Sequence, residues 1–366
     1  MKRLSFITLL LCSTALSWAQ PYRDYQLRLE PVWSRVADAL GEAGSVESAE
    51  FSLDGKYIVS GTKFDNAVIM WRTSDGTELW RQYTQLEVER VGWSADGRYV
   101  ASCSEDYLVT LFDAKTGEVL KTLPHKNGID GLTWSNTGSL LVSGEEETKK
   151  KDGSSQGFIR VFDMPSGKEI KTIDFGSTVN ELFFSSDDQY LLATGHGGLK
   201  VYNTNDWSLA QTLEADTYLK FITGVFSPSD EMVFAGAGNG QLFLWNWQTG
   251  KLVKKFSHTG RKIETVSWHP NGDYVAFAGH DPYIRVYRVK EIMSYKNDRI
   301  PLAHKVWAGD HAEYIDFNAD GSFLVSAHQN GLIKLWAWMG EDPALNEKRH
   351  KGVKENQKKY NEKVND

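Results

Sequence analysis

The chain has 366 residues and is 41% hydrophobic and 24% charged, which suits a folded globular protein and excludes a disordered or fibrous one. Its net charge of −7 argues against a nucleic-acid clamp, which would carry a basic face. Thirteen Trp and 32 Gly against 9 Pro point to many short strands joined by tight turns.

The first nineteen residues read as an address. Lys2 and Arg3 precede a mostly apolar run from Leu4 to Leu16, and Ser17 and Ala19 place small residues at the −3 and −1 positions before Gln20. This layout predicts a cleaved secretory signal over residues 1–19, and an exported protein in a periplasmic or extracellular compartment. The run is too short to cross a bilayer, and no later stretch is long and apolar enough to do so. Cleavage would remove two bases and no acid, so the charge of −7 would become −9. It would also remove Cys12, leaving Cys103 as a lone thiol in an apolar strand pattern, expected to be buried rather than reactive.

Seven times, an aromatic residue is followed by a polar residue and a turn: Phe51-Ser-Leu-Asp-Gly, Trp93-Ser-Ala-Asp-Gly, Trp134-Ser-Asn-Thr-Gly, Phe184-Ser-Ser-Asp-Asp, Phe226-Ser-Pro-Ser-Asp, Trp268-His-Pro-Asn-Gly and Phe317-Asn-Ala-Asp-Gly. Successive anchors lie 42, 41, 50, 42, 42 and 49 residues apart. A short apolar strand, a turn and a strand ending in an aromatic follow each anchor, and in most repeats a fourth strand follows. Four strands at this period predict the blades of a β-propeller. The two long spacings mark insertions, Glu145 to Gln156 in blade three and Glu291 to Ile300 in blade six.

On these repeats the chain resembles the WD40-repeat family over roughly residues 25–340. The resemblance implies an all-β, seven-bladed propeller of four-stranded antiparallel blades, spanning residues 20–340. No Trp-Asp dipeptide occurs. The family's structural His is matched by His125, His258 and His311. In blade seven His311, Ser326 and Trp336 match three parts of the family's polar tetrad, with Asn330 near the place of its Asp. No fourth strand follows Trp336, so the segment Tyr25 to Trp33 is expected to close blade seven as its outer strand. Residues 341–366 form a charged tail, expected to be helical or disordered.

Four residues before each anchor stand Glu47, Glu89, Asp130, Asn180, Ile222, Glu264 and Glu313. In this family's fold that position begins the innermost strand at one mouth of the channel, so the five acids are expected to form a ring able to hold a cation, an amine or a basic peptide. Lys149, Lys150 and Lys151 of the blade-three insertion are candidate loop contacts on the same face. His196, His280 and His328, in second turns of their blades, are expected to be exposed turn residues rather than metal ligands. Trp80, Trp207, Trp247 and Trp338 lie near third-to-fourth strand connections; those on the strand ladder are expected to pack against neighbouring blades, with Trp207 the strongest surface candidate.

No catalytic motif or cofactor fingerprint is present, and no enzyme activity, cofactor or metal is expected. Three functions remain open. The first is an exported scaffold holding a protein or peptide partner, a basic one included, on its loop face. The second is a propeller, a sensor or an enzyme, that binds a cation or small ligand at the acidic mouth. The third is an oligomeric envelope component. Nucleic acid is not an expected partner.

Overall fold

The computed structural model describes residues 27–340, except 197 and 216–218. The predicted signal, residues 25–26 of the closing segment and the tail therefore lie outside the described residues.

Among the described residues, seven four-stranded antiparallel sheets form a closed ring. Their innermost strands are Val46–Phe51, Val88–Trp93, Ile129–Trp134, Val179–Phe184, Phe221–Phe226, Ile263–Trp268 and Ala312–Phe317. Each touches the next around the channel, and the last touches the first. The hydrophobic core is divided into seven seams, each between two neighbouring blades. This arrangement explains the sequence pattern within a blade. Second and third strands are covered on both faces and read as apolar runs, such as Ala67–Arg72. Outer strands such as Lys168–Asp174 keep an exposed, polar pattern.

The anchor motif has a local cause. The polar residue after each aromatic closes the first hairpin. Ser52, Ser94, Ser135, Ser185 and Ser227 each accept, at Oγ, the backbone N–H five residues on, at 2.9–3.1 Å. Asn318 Oδ1 does the same for Phe323 at 2.8 Å. The turn then needs a left-handed residue, which Gly55, Gly97, Gly138, Gly272 and Gly321 supply. In blades four and five Asp188 and Asp230 take that conformation, at φ 58° and 56°. Their carboxylates reach the preceding blade. Asp188 accepts the N–H of Asn136 and Thr137 at 2.7 and 2.9 Å, and Asp230 accepts that of Ser186 at 3.0 Å. The departure from Asp-Gly thus adds hydrogen bonds between blades.

The ring closes as the repeats predict. Arg28–Val36 pairs antiparallel with Leu332–Met339 as the outer strand of blade seven. Trp33 extends the closure into blade one, its Nε1 donating to Thr73 O at 2.8 Å.

The insertions are smaller than their spacing suggests. Glu145 is buried at the end of the strand Leu140–Glu145, paired with Arg160 at 2.6 Å, and a two-stranded hairpin, Thr148–Lys149 with Ser155–Gln156, forms the projection. In blade six the helical turn Val289–Ser294 buries Ile292, which packs with Ile300 into the seam between blades five and six. Of the four tryptophans near these connections, Trp247 and Trp338 are buried. Trp207 is half-buried against the seam of blades three and four, and Trp80 stacks on Phe112 of blade two. They are apolar partners for neighbouring blades, whose seams reach the outer strands. Trp307, 65% exposed on the outer strand of blade six, is a surface tryptophan that the pattern did not single out.

Candidate functional site at the channel mouth

Each innermost strand begins with a β-bulge, and the unpaired residue is the one four before the anchor. The register skips from Val46 to Ser48, Val88 to Arg90, Ile129 to Gly131, Val179 to Glu181, Phe221 to Thr223, Ile263 to Thr265 and Ala312 to Tyr314. A bulge frees a residue from the ladder and re-aims its side chain. Repeated seven times, it places Glu47, Glu89, Asp130, Asn180, Ile222, Glu264 and Glu313 around one cavity of about 690 Å³.

That cavity also holds cations that the column does not contain. Lys63, Lys220, Lys262 and Arg90 line it, with His196. Lys63 Nζ lies 3.4 Å from Glu87 and 3.8 Å from Glu89. Lys262 Nζ lies 2.7 Å from Glu264. Lys220 and Lys262 occupy the position six before the anchor, a second column that could have been read from the same alignment of repeats. Arg90 and Lys63 come from other positions, and nothing in the period marks them.

The charges are unevenly shared. Glu87, Glu105 and Glu146 reinforce Glu47, Glu89 and Asp130 over blades one to three, where donor oxygens of two carboxylate trios approach within 4.8 Å of one another. Crowding and burial hold protons on this side. Burial, then Glu47, pushes the Glu89 carboxyl up to about 8. Burial, then Glu146 and Glu105, takes Asp130 to about 7. Burial, then Glu146, takes Glu105 to about 7. Across the mouth, burial followed by Glu264 raises Glu313 to about 8. For Lys63, burial opposes the charged form, but Glu47, Glu89 and Glu87 outweigh it and its pKa is raised. The mouth is therefore a mixed-charge basin.

Arg90 lines the same cavity. Arg90 Nη1 donates to the carbonyls of Glu47 and Glu89 at 3.3 and 3.2 Å. Glu181 faces it as an opposite charge and accepts the N–H of Gly224 at 2.9 Å. At the other end Glu50 accepts the N–H of Trp93 at 3.3 Å, and Asp316 that of Phe51 at 3.3 Å.

The remaining candidates are placed as follows. Lys149, Lys150 and Lys151 stand exposed on the blade-three hairpin and do not line the cavity. His125 Nε2 lies 2.7 Å from Ser143 Oγ, on the second strand of its own blade. His258 has no such serine, since Phe277 stands there, and its Nδ1 meets the Tyr287 hydroxyl at 2.6 Å. The blade-seven tetrad reading needs correction. Trp336 Nε1 donates to Ser326 Oγ at 2.8 Å, but the histidine on that oxygen is His328, at 2.7 Å. His328 is fully buried rather than exposed, and burial followed by Lys334 holds its pKa down to about 3. His311 is instead half-buried, 3.0 Å from Gln329, with its ring stacked on His280 at 5.2 Å. His196 lies 3.9 Å from Glu147, and His280 Nε2 2.7 Å from Glu264 Oε1.

Known proteins resemble this chain along its repeats. A family profile described as "WD domain, G-beta repeat" matches residues 117–163, 250–288 and 305–337. A second, "Anaphase-promoting complex subunit 4 WD40 domain", matches residues 58–137. Eukaryotic translation initiation factor 3 subunit I of Coccidioides immitis (strain RS) is 25% identical over 296 residues, covering 70% of this chain and 83% of the relative. Serine-threonine kinase receptor-associated protein of Bos taurus is 20% identical over 255 residues, 69% of each chain. Its Homo sapiens counterpart is 19% identical over the same length.

Proposed function

The chain belongs to the WD40-repeat family, and from that premise we propose that it is an exported, non-catalytic scaffold holding a protein or peptide partner on its loop face. The observation that carries this reading is a rim of exposed apolar side chains beside the acidic half of the mouth. Leu40, Phe64, Leu86 and Tyr107 are 49–56% exposed. Their loops are joined in one row: Ala39 N–H donates to Asp65 at 2.9 Å, Thr84 Oγ1 to Asn66 O at 3.1 Å, and Gln85 N–H to Asp106 at 3.1 Å. Apolar and aromatic side chains held on an ordered rim are suited to bury against a partner surface. Glu47, Glu89 and Asp130 alongside favour a basic segment in that partner. The relatives' names speak of a subunit and of receptor association, which supports assembly with other proteins. Export rests on Lys2, Arg3 and the apolar run to Leu16.

Crosslinked pull-downs from the native host test the reading. A partner recovered with the wild-type protein is expected to be lost with Phe64→Asp and Tyr107→Asp and kept with Leu53→Asp, at an exposed site in the turn after the blade-one anchor. Recovery unchanged by the rim variants counts against it. The mass of the N-terminus tests export, which predicts a chain beginning at Gln20. A second reading, a small-ligand sensor, draws on the cavity itself. It predicts binding that Glu89→Gln abolishes and the rim variants spare.

A further inference from the structure

We propose that Glu264, His280 and Glu313 form a zinc-class divalent metal site at the channel mouth, bridging blades six and seven. Their donor atoms all lie within 4.8 Å of one another. Glu264 and Glu313 are the bulge residues of adjacent innermost strands, and His280 comes from the second-to-third turn of blade six. Its N–H donates to Lys262 O at 3.0 Å, which holds that turn over the strand carrying Glu264. The imidazole is stacked on His311 with 12° between the ring planes, so its orientation is set before any ligand arrives.

The second observation is an orphaned atom. Glu313 lines the cavity and is 9% exposed, and its Oε1 is buried without a hydrogen-bond partner, while Gln329 hydrogen-bonds the carboxyl group. A buried oxygen without a partner is a position where an entering cation gains a contact that the protein does not supply. Glu264, 6% exposed, is held differently. Lys262 Nζ and His280 Nε2 both lie 2.7 Å from its Oε1. The Lys262 ammonium therefore occupies the place that a metal cation would take. Its side chain is more than a third exposed and free to swing out.

One imidazole and two carboxylates suit zinc, with a remaining position open towards the mouth. Tetrahedral zinc needs ligand atoms about 3.3–3.5 Å apart. The 2.7 Å between His280 Nε2 and Glu264 Oε1 must therefore widen by a side-chain adjustment as the ion enters and Lys262 leaves. This site does not depend on the scaffold reading, and its test involves no partner.

The experiment titrates zinc into the metal-stripped full-length protein against a chromophoric chelator. Cobalt absorption serves as a second probe of the ligand field. We expect one zinc per chain. Glu313→Gln and His280→Gln each weaken it at least tenfold, with melting in chelator unchanged from wild type. Lys262→Met tightens it, because the resident ammonium no longer competes, and His196→Ala leaves it unchanged. The proposal is overturned if the wild type takes up no stoichiometric zinc, or if Glu313→Gln and His280→Gln bind it as tightly as wild type.

Discussion

Arg90, from blade two, holds its guanidinium 5.1 Å from the centre of the Tyr314 ring of blade seven. A cation and an aromatic ring therefore meet with blade one between them. Glu181 of blade four and Glu89 also act on Arg90, and together they keep its pKa raised against the effect of burial.

Replacing Arg90 should be severe for that reason. Arg90→Met removes the positive charge that acts on buried Glu181 and the hydrogen bonds to the Glu47 and Glu89 carbonyls, and a hydrogen bond to a charged group contributes about 1.5–3 kcal/mol. Denaturant unfolding should show this loss, and the double variant with Glu181→Gln should recover part of it.

Closure of the ring predicts a second loss. Trp33 is buried and donates to Thr73 of blade one, and removing a buried Trp side chain costs about 3–5 kcal/mol. Trp33→Ala should lower the melting temperature sharply, as should deletion of residues 21–33. An unchanged melting curve would contradict the role of this strand.

Stability should fall as pH rises above the carboxylate range. Burial, then Asp316, pushes the Glu50 carboxyl up to about 8, and burial takes Asp316 to about 7. A raised carboxyl contributes stability that is fully present below its unfolded pKa, near 4.5, and lost as pH climbs through the folded value. Glu89 and Asp130 act in the same direction. Acids with lowered pKa, such as Asp54 and Asp187, act oppositely and only at lower pH. Melting temperature should therefore decline between pH 5 and pH 9. Glu50→Gln should flatten the decline and stabilise the protein at pH 9 by roughly 1–3 kcal/mol.

The corrected tetrad gives a paired test. Ser326→Ala strands Trp336 Nε1 and His328 Nε2 in the interior, at a cost of about 1–3 kcal/mol. His311→Ala, which leaves the Ser326 hydroxyl and its partners intact, should cost less than Ser326→Ala. Thermal unfolding of the two variants separates them.

The division between what was legible and what was not follows the range of the interactions. The period, the hairpin-closing serines and the turn glycines are local, because each partner lies within a few residues, and the sequence alone determined blade number, strand order and the closing strand. The column of Glu47, Glu89, Asp130, Glu264 and Glu313 was legible for the same reason, since one bulge recurs at one offset from every anchor. Only the tertiary structure decided what these acids meet. Lys63 reaches Glu89 from the preceding blade, and Arg90 reaches Tyr314 from across blade one. Likewise, whether His311 or His328 touches Ser326 depends on which face of a turn the chain buries, and Trp247 and Trp338 are interior because a neighbouring blade covers them. Such contacts are set by ring closure, which brings together residues far apart in the chain and has no period of its own to read.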